Sequence, residues 1–216
     1  MEQDNIIFSD DYKIDVLDLY VIHPDQIEPL FWKRISQNPI DADVMRAFFD
    51  SSFISVDIKD RQGNDLMHYA ISKKSEDFFS LLLEYGMPEI DTWGNTLLHI
   101  VAKEGFKGGI SSLLGKGIDV NIQNRMGNTA LHYATISGDI ESVEILMSNG
   151  AIVEEKNNQG LSPMHFAIER HHFDVVRLFI KAGVEIDECL EKFKGVKGYN
   201  QVVKVVKGIK KELNKK

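Results

Sequence analysis

One short pattern, met four times at a nearly constant interval, constrains this chain more than any other feature. Asp60-Arg61-Gln62-Gly63-Asn64-Asp65-Leu66-Met67-His68-Tyr69-Ala70 is followed by Asp91-Thr92-Trp93-Gly94-Asn95-Thr96-Leu97-Leu98-His99-Ile100-Val101. Then come Asn124-Arg125-Met126-Gly127-Asn128-Thr129-Ala130-Leu131-His132-Tyr133-Ala134 and Asn157-Asn158-Gln159-Gly160-Leu161-Ser162-Pro163-Met164-His165-Phe166-Ala167, at offsets of 31, 33 and 33 residues. A period of this size marks a supersecondary unit that cannot bury its apolar face alone and must stack on its neighbours.

The residues inside each copy say what the unit is. Gly63, Gly94, Gly127 and Gly160 stand where a tight turn needs a positive φ. Thr96, Thr129 and Ser162 are placed to cap a first helix, as is Asp65, and Pro163 suits a first helical turn. Ala70, Ala102, Ala134 and Ala167 are small enough for helices to approach closely. A second apolar helix follows in each copy, for example Val143, Leu146 and Met147 at spacings of three and one, then a glycine at Gly86, Gly117, Gly150 or Gly183.

Turn, helix opening in Thr-Pro-Leu-His style, second helix and glycine-led loop together resemble the ankyrin repeat, and Gly117-Ile118-Asp119-Val120-Asn121 resembles that family's loop closely. The resemblance implies an all-α ankyrin-repeat solenoid of stacked antiparallel helix pairs joined by β-turn or hairpin loops. The repeats are expected at 60–90, 91–123, 124–156 and 157–187. Residues 1–59 are expected to hold an N-terminal segment and a degenerate capping repeat over 24–59, with a helix over Gln26–Gln37 containing Phe31 and Trp32. Residues 1–23, with Ile6-Ile7-Phe8 and Val16-Leu17, are apolar enough to pack on that repeat. After Asp187 the turn motif disappears. A short helix from Glu188 to Phe193 and a longer one carrying Tyr199, Val202, Val206, Ile209 and Leu213 should form a C-terminal cap over 188–216 with a lysine-rich face.

Catalytic chemistry finds little footing here. His68, His99, His132 and His165 recur once per repeat, so they form a ladder with about 10 Å between rungs, whereas zinc draws its ligands to about 2 Å from one ion. The reading the residues favour is a histidine that hydrogen-bonds backbone between adjacent turns, as the resemblance also implies. His171-His172 lies at a helix–helix turn with no third ligand nearby in sequence. The lone Cys189 has no motif around it and cannot form an internal disulfide. Gly195, Gly198 and Gly208 lack the Lys-Ser/Thr spacing of a phosphate-binding loop. No catalytic residue, metal or cofactor is expected, and the non-repeat ends are too short for a separate catalytic domain.

Charge narrows the partners. Leu190–Lys216 holds nine lysines against Glu191 and Glu212, a balance of +7, so the rest of a chain of net charge −8 carries −15. An acidic body disfavours nucleic acid as its ligand. The basic helix is read first as a solvated cap face, with an anionic membrane or nucleic acid as the alternative. No apolar run reaches the ~18 residues of a membrane span, and the acidic Met1-Glu2-Gln3-Asp4 start is unlike a signal peptide. The expectation is a cytoplasmic monomer, or a protein delivered into a host-cell cytosol without a cleaved N-terminal signal.

What the resemblance implies is a protein–protein interaction module or adaptor that binds through turn tips and the first-helix face. A host-directed effector of an intracellular bacterium and a regulatory or substrate-recruiting subunit of an enzyme complex are narrower versions. The residues expected to touch a partner are Arg61, Gln62, Trp93, Arg125, Met126 and Gln159 at the tips. Beside them on the first helices stand Tyr69, Lys103, Tyr133, Phe166 and Arg170. Trp93 and Met126 are the most telling, because large apolar groups at wet tips have the composition of an interface hot spot.

Overall fold

The computed structural model describes residues 28, 31–33, 35, 42–50, 54–86, 91–195 and 199–213. These residues form two compact units, one within Met1–Met87 and one within Pro88–Lys216. Both are built from short helices.

In the N-terminal unit, α1 (Ala42–Asp50), α2 (Leu66–Ser72) and α3 (Glu76–Glu84) accompany helical residues at 28, 31–33 and 35. The rest of the helix expected over Gln26–Gln37, and all of residues 1–23, lie outside the described residues. Aromatic packing organises this core. The buried Phe31 ring meets Phe48 edge-on at 5.4 Å and lies 6.1 Å from Phe49, and Phe49 meets Tyr85 at 5.2 Å. Apolar spacing of three and four puts Phe78, Phe79, Leu81 and Leu82 of α3 inside. Asp65 caps α2 by accepting from His68 N at 2.8 Å.

The C-terminal unit stacks helix pairs in register. Its elements are α4 (Leu97–Lys103), α5 (Lys107–Gly115), α6 (Ala130–Ser137), α7 (Ile140–Ser148), α8 (Pro163–Glu169), α9 (Phe173–Lys181), α10 (Asp187–Lys192) and α11 (Tyr199–Leu213). First helices α4, α6, α8 and α10 pack in sequence, and so do second helices α5, α7, α9 and α11. Ala102, Ala134 and Ala167 are fully buried, so the small side chains sit where the helices approach each other. Leu98, Leu131 and Met164 form one buried row, and Ile110, Val143, Val176 and Phe179 supply the second-helix side. The predicted C-terminal helices are observed as α10 and α11, whose Val202, Val206 and Ile209 face inward.

The first helices α4, α6 and α8 begin with the same device. The Nδ1 of His99 accepts from Thr96 N at 3.1 Å, His132 Nδ1 from Thr129 N at 3.0 Å and His165 Nδ1 from Ser162 N at 3.0 Å. An Nδ1 that accepts leaves the proton on Nε2. His99 Nε2 donates to Asn128 O at 2.9 Å and His132 Nε2 to Leu161 O at 3.1 Å, tying each helix to the following turn. Burial lowers the pKa of both, that of His132 to about 4, and both rings stay neutral at neutral pH.

The expected ladder of four histidines is corrected to three. His68 is exposed, and its ring lies edge-on to Tyr69 at 6.0 Å instead of closing a capping box. The cause is its cap residue. The Thr96, Thr129 and Ser162 hydroxyls accept the backbone N–H of the ladder histidine and, 2.9 Å from its Nδ1, can also donate to it, whereas a carboxylate at Asp65 accepts the backbone N–H of His68 but does not donate.

Candidate functional site

The turn tips of the C-terminal unit are held by hydrogen bonds on every side. Asp91 Oδ1 accepts from Trp93 N and Asn95 N, both at 2.8 Å. Asn124 Oδ1 likewise accepts from Met126 N and Asn128 N at 2.9 Å, and Asn157 Oδ1 from Gln159 N and Leu161 N at 3.0 Å. An amide does one thing more than a carboxylate: it also donates. Asn124 Nδ2 reaches Asn95 Oδ1 at 2.7 Å and Asn157 Nδ2 reaches Asn128 Oδ1 at 2.8 Å, so neighbouring turns are linked side chain to side chain.

The backbones of the tips are joined as well. Arg125 N donates to Trp93 O at 3.2 Å and Asn158 N to Met126 O at 3.0 Å. This approach explains the glycine at 127. Its φ is +75°, and a Cβ there would lie 2.6 Å from Asn158 Oδ1 and 2.8 Å from Asn158 N. Gly94 has the same role more loosely, with Arg125 Cγ 3.1 Å from where a Cβ would stand.

On this fixed backbone Trp93 is 66% exposed and Met126 46% exposed. Arg125 lies back over the preceding turn, its Nη1 donating to Thr92 O at 2.6 Å. Gln159 is exposed at the next tip. Tyr133 and Phe166 are half-buried. They pack edge-on against His99 at 5.8 Å and His132 at 5.9 Å, and Tyr133 OH accepts from Asn124 Nδ2 at 3.0 Å. A share of that aromatic row therefore holds repeats together. Lys103 and Arg170, at the C-terminal ends of α4 and α8, are exposed.

The remaining expected residues, Arg61, Gln62 and Tyr69, come together in the N-terminal unit. With Glu28, Trp32, Lys59 and Asp60 they line a cleft of about 580 Å³. Trp32 and Tyr69 form its aromatic walls, ring centres 5.7 Å apart and tilted by 47°. Tyr69 OH donates to Asp60 Oδ2 at 2.6 Å. Lost solvation raises the Asp60 pKa, but hydrogen bonds from Tyr69, Asn64 and Gln62 outweigh that and bring it down to about 2. With those bonds made, Asp60 fixes Tyr69 and has little acceptor capacity left. The sequence places Trp32 in the degenerate capping repeat, but its approach to Tyr69 was not legible there, because that repeat lacks the turn motif that sets the register of the others.

Sequence reasoning also missed two contacts of the C-terminal cap. Lys192 Nζ donates to Gly160 O at 2.7 Å and lies 3.5 Å from Gln159 O, the carbonyl equivalent to those of Trp93 and Met126 that receive a backbone N–H from the following turn. Cys189 Sγ sits 3.6 Å from His165 Nδ1 and 4.0 Å from Ser162 Oγ. This thiol and imidazole do not make a nucleophile–base pair. The Nδ1 is already accepting from Ser162 N, burial raises the thiol pKa, and burial followed by the Lys192 and Lys156 charges lowers that of the imidazole. Among the described residues, no group of three or more His, Cys, Asp or Glu side chains is arranged to hold a metal ion. Among them too, no helix is long and apolar enough to cross a membrane.

A comparison with curated protein sequences finds no match. The family profile described as "Ankyrin repeats (3 copies)" matches residues 35–124 and 98–188, overlapping segments that span most of the chain. Periodic turns, paired helices, a histidine-linked stack and this match agree: the chain belongs to the ankyrin-repeat family.

Proposed function

We propose that this chain is a non-enzymatic adaptor that binds another protein along the turn tips of its C-terminal unit. Ankyrin repeats are in general protein–protein interaction modules. The observation that carries the choice of surface is the pairing of Trp93 and Met126, both large, apolar and exposed, on backbone that neighbouring turns already hold. Aromatic and methionine side chains are enriched at interfaces, and a preformed surface loses little conformational freedom on binding. Arg125 and Gln159 flank the pair, with Lys103, Tyr133, Phe166 and Arg170 as further contacts on the first-helix side. Arg61, Gln62 and Tyr69 form a second contact region at the cleft of the N-terminal unit.

Delivery into a host cell as an effector of an intracellular bacterium is a setting suited to such an adaptor; a translocation reporter fused to the chain tests it. Affinity purification with the wild-type chain and a Trp93→Ala/Met126→Ala chain as parallel baits tests the surface. A partner depleted from the variant bait supports it, and equal retention on both baits contradicts it.

One observation favours a second reading. Lys204, Lys207 and Lys211 are exposed on α11 at spacings of three and four, a basic stripe suited to an anionic membrane or nucleic acid. Liposome and oligonucleotide binding unchanged by replacing all three with alanine would remove it.

A further inference from the structure

At the edge formed by Trp93, Met126 and Gln159 the backbone carbonyls of the tips are already engaged, and the acceptors that remain are the neutral side-chain amides of Asn158 and Gln159. Thr92 O accepts from Arg125 Nη1, Trp93 O from Arg125 N, Arg125 O from Asn158 Nδ2, and Met126 O from Asn158 N. Gly160 O accepts from Lys192 Nζ, which also lies within reach of Gln159 O. Asp91, the one carboxylate among the three tip hubs of this unit, turns both oxygens inward onto Trp93 N, Asn95 N and Asn95 Nδ2. Its neighbours at the equivalent position, Asn124 and Asn157, are uncharged.

Donors are left over on the same edge. The Arg125 guanidinium has five N–H groups and gives one to Thr92 O. The Lys192 ammonium has three, and the exposed indole of Trp93 presents an N–H beside its apolar face. A partner that covers these groups must supply acceptors, because a donor buried without one is strongly unfavourable.

From this geometry we infer the chemistry of the partner: an acidic protein segment that seats an apolar side chain against Trp93 and Met126 while its carboxylates take Arg125 and Lys192. The inference rests on the binding edge proposed above and specifies what that edge selects. Phosphate backbones also carry acceptors, but they offer no apolar side chain for Trp93 and Met126. A segment with spaced carboxylates meets the two cations and can carry one.

Isotope-labelled full-length protein is titrated, by NMR, with a short glutamate–serine peptide bearing one central leucine. Three controls accompany it: the same peptide with lysine for glutamate, the acidic peptide with serine for leucine, and oligothymidine. The acidic leucine peptide should move the Trp93 indole, Met126 and Lys192 resonances and bind about tenfold more tightly than its lysine counterpart. Arg125→Gln/Lys192→Gln, or Lys192→Gln alone should the double variant unfold, should abolish most of that preference. Lysine-peptide binding at these resonances with equal or greater affinity would overturn the acidic class while leaving the edge standing. Equal binding without leucine would overturn the apolar anchor, and equal binding of oligothymidine at the tips would reassign the edge to phosphate. Shifts confined to α11, or no shifts at all, would overturn the site itself.

Discussion

His171 adopts φ = +59° at the turn between α8 and α9, where the two preceding repeats place Gly105 at +61° and Gly138 at +76°. A side chain in left-handed backbone costs about 1–2 kcal/mol, and glycine gives back part of that gain through its freer unfolded chain. His171→Gly should therefore stabilise the protein by roughly 0.5–1 kcal/mol, read as a higher urea midpoint at unchanged slope.

The ladder histidines make a second residue-scale prediction. Burial holds the folded pKa of His132 at about 4, below its ordinary unfolded value of 6.5. Above pH 6.5 neither state binds the proton and the full stability is present; below it the unfolded state binds first. Stability then falls until the folded pKa is reached, by about 3 kcal/mol for this group. Urea midpoints from pH 7 to pH 4 should drop steeply. His132→Gln should start lower, having lost the bond to Leu161 O, yet decline more gently; parallel curves for the two proteins would contradict the account.

At the scale of elements, the turn works because an asparagine both accepts and donates. Asn157→Asp keeps the acceptor for Gln159 N and Leu161 N but loses the donor to Asn128 Oδ1, a buried contact at 2.8 Å. The expected loss is on the order of 1–3 kcal/mol, measured by chemical denaturation. Asp91 already has this arrangement, which is why its outer oxygen bonds its own Asn95 instead.

These elements were largely open to reading in the sequence. Glycine at 94 and 127, threonine at 96 and 129 and histidine at 99 and 132 each answer a local geometric demand, so their spacing alone located turn, cap and ladder. His68 was open to misreading because the histidine repeats while its partner does not. The distinction between a hydroxyl that donates and a carboxylate that does not lies three residues upstream, at Asp65. The contacts of Lys192 and Trp32 were not legible, since each acts through tertiary proximity to a turn far along the chain, and neither the C-terminal cap nor the degenerate first repeat carries the full turn motif. Of the candidate site, exposure of Trp93 and Met126 followed from their tip positions. The gathering of Arg61, Gln62 and Tyr69 about one cleft needed the folded chain.

At the scale of the whole molecule, the distribution of charge and hydrogen-bonding capacity matters more than any single contact. At the turn tips of the C-terminal unit the carbonyls of Thr92, Trp93, Arg125 and Met126 are occupied and the side chains of Trp93 and Met126 stand exposed, while Lys192 of α10 reaches the last turn. On the proposed function, such a surface would recognise its partner by shape and by donors already in place. On the same proposal Trp93 is the anchor for a protein partner. Calorimetry with a purified partner, comparing the wild-type chain and Trp93→Ala at equal urea midpoint, tests this most directly. A loss of about 2 kcal/mol or more, some thirtyfold in Kd, is the predicted result; a Kd unchanged within about twofold, well under 1 kcal/mol, would contradict it.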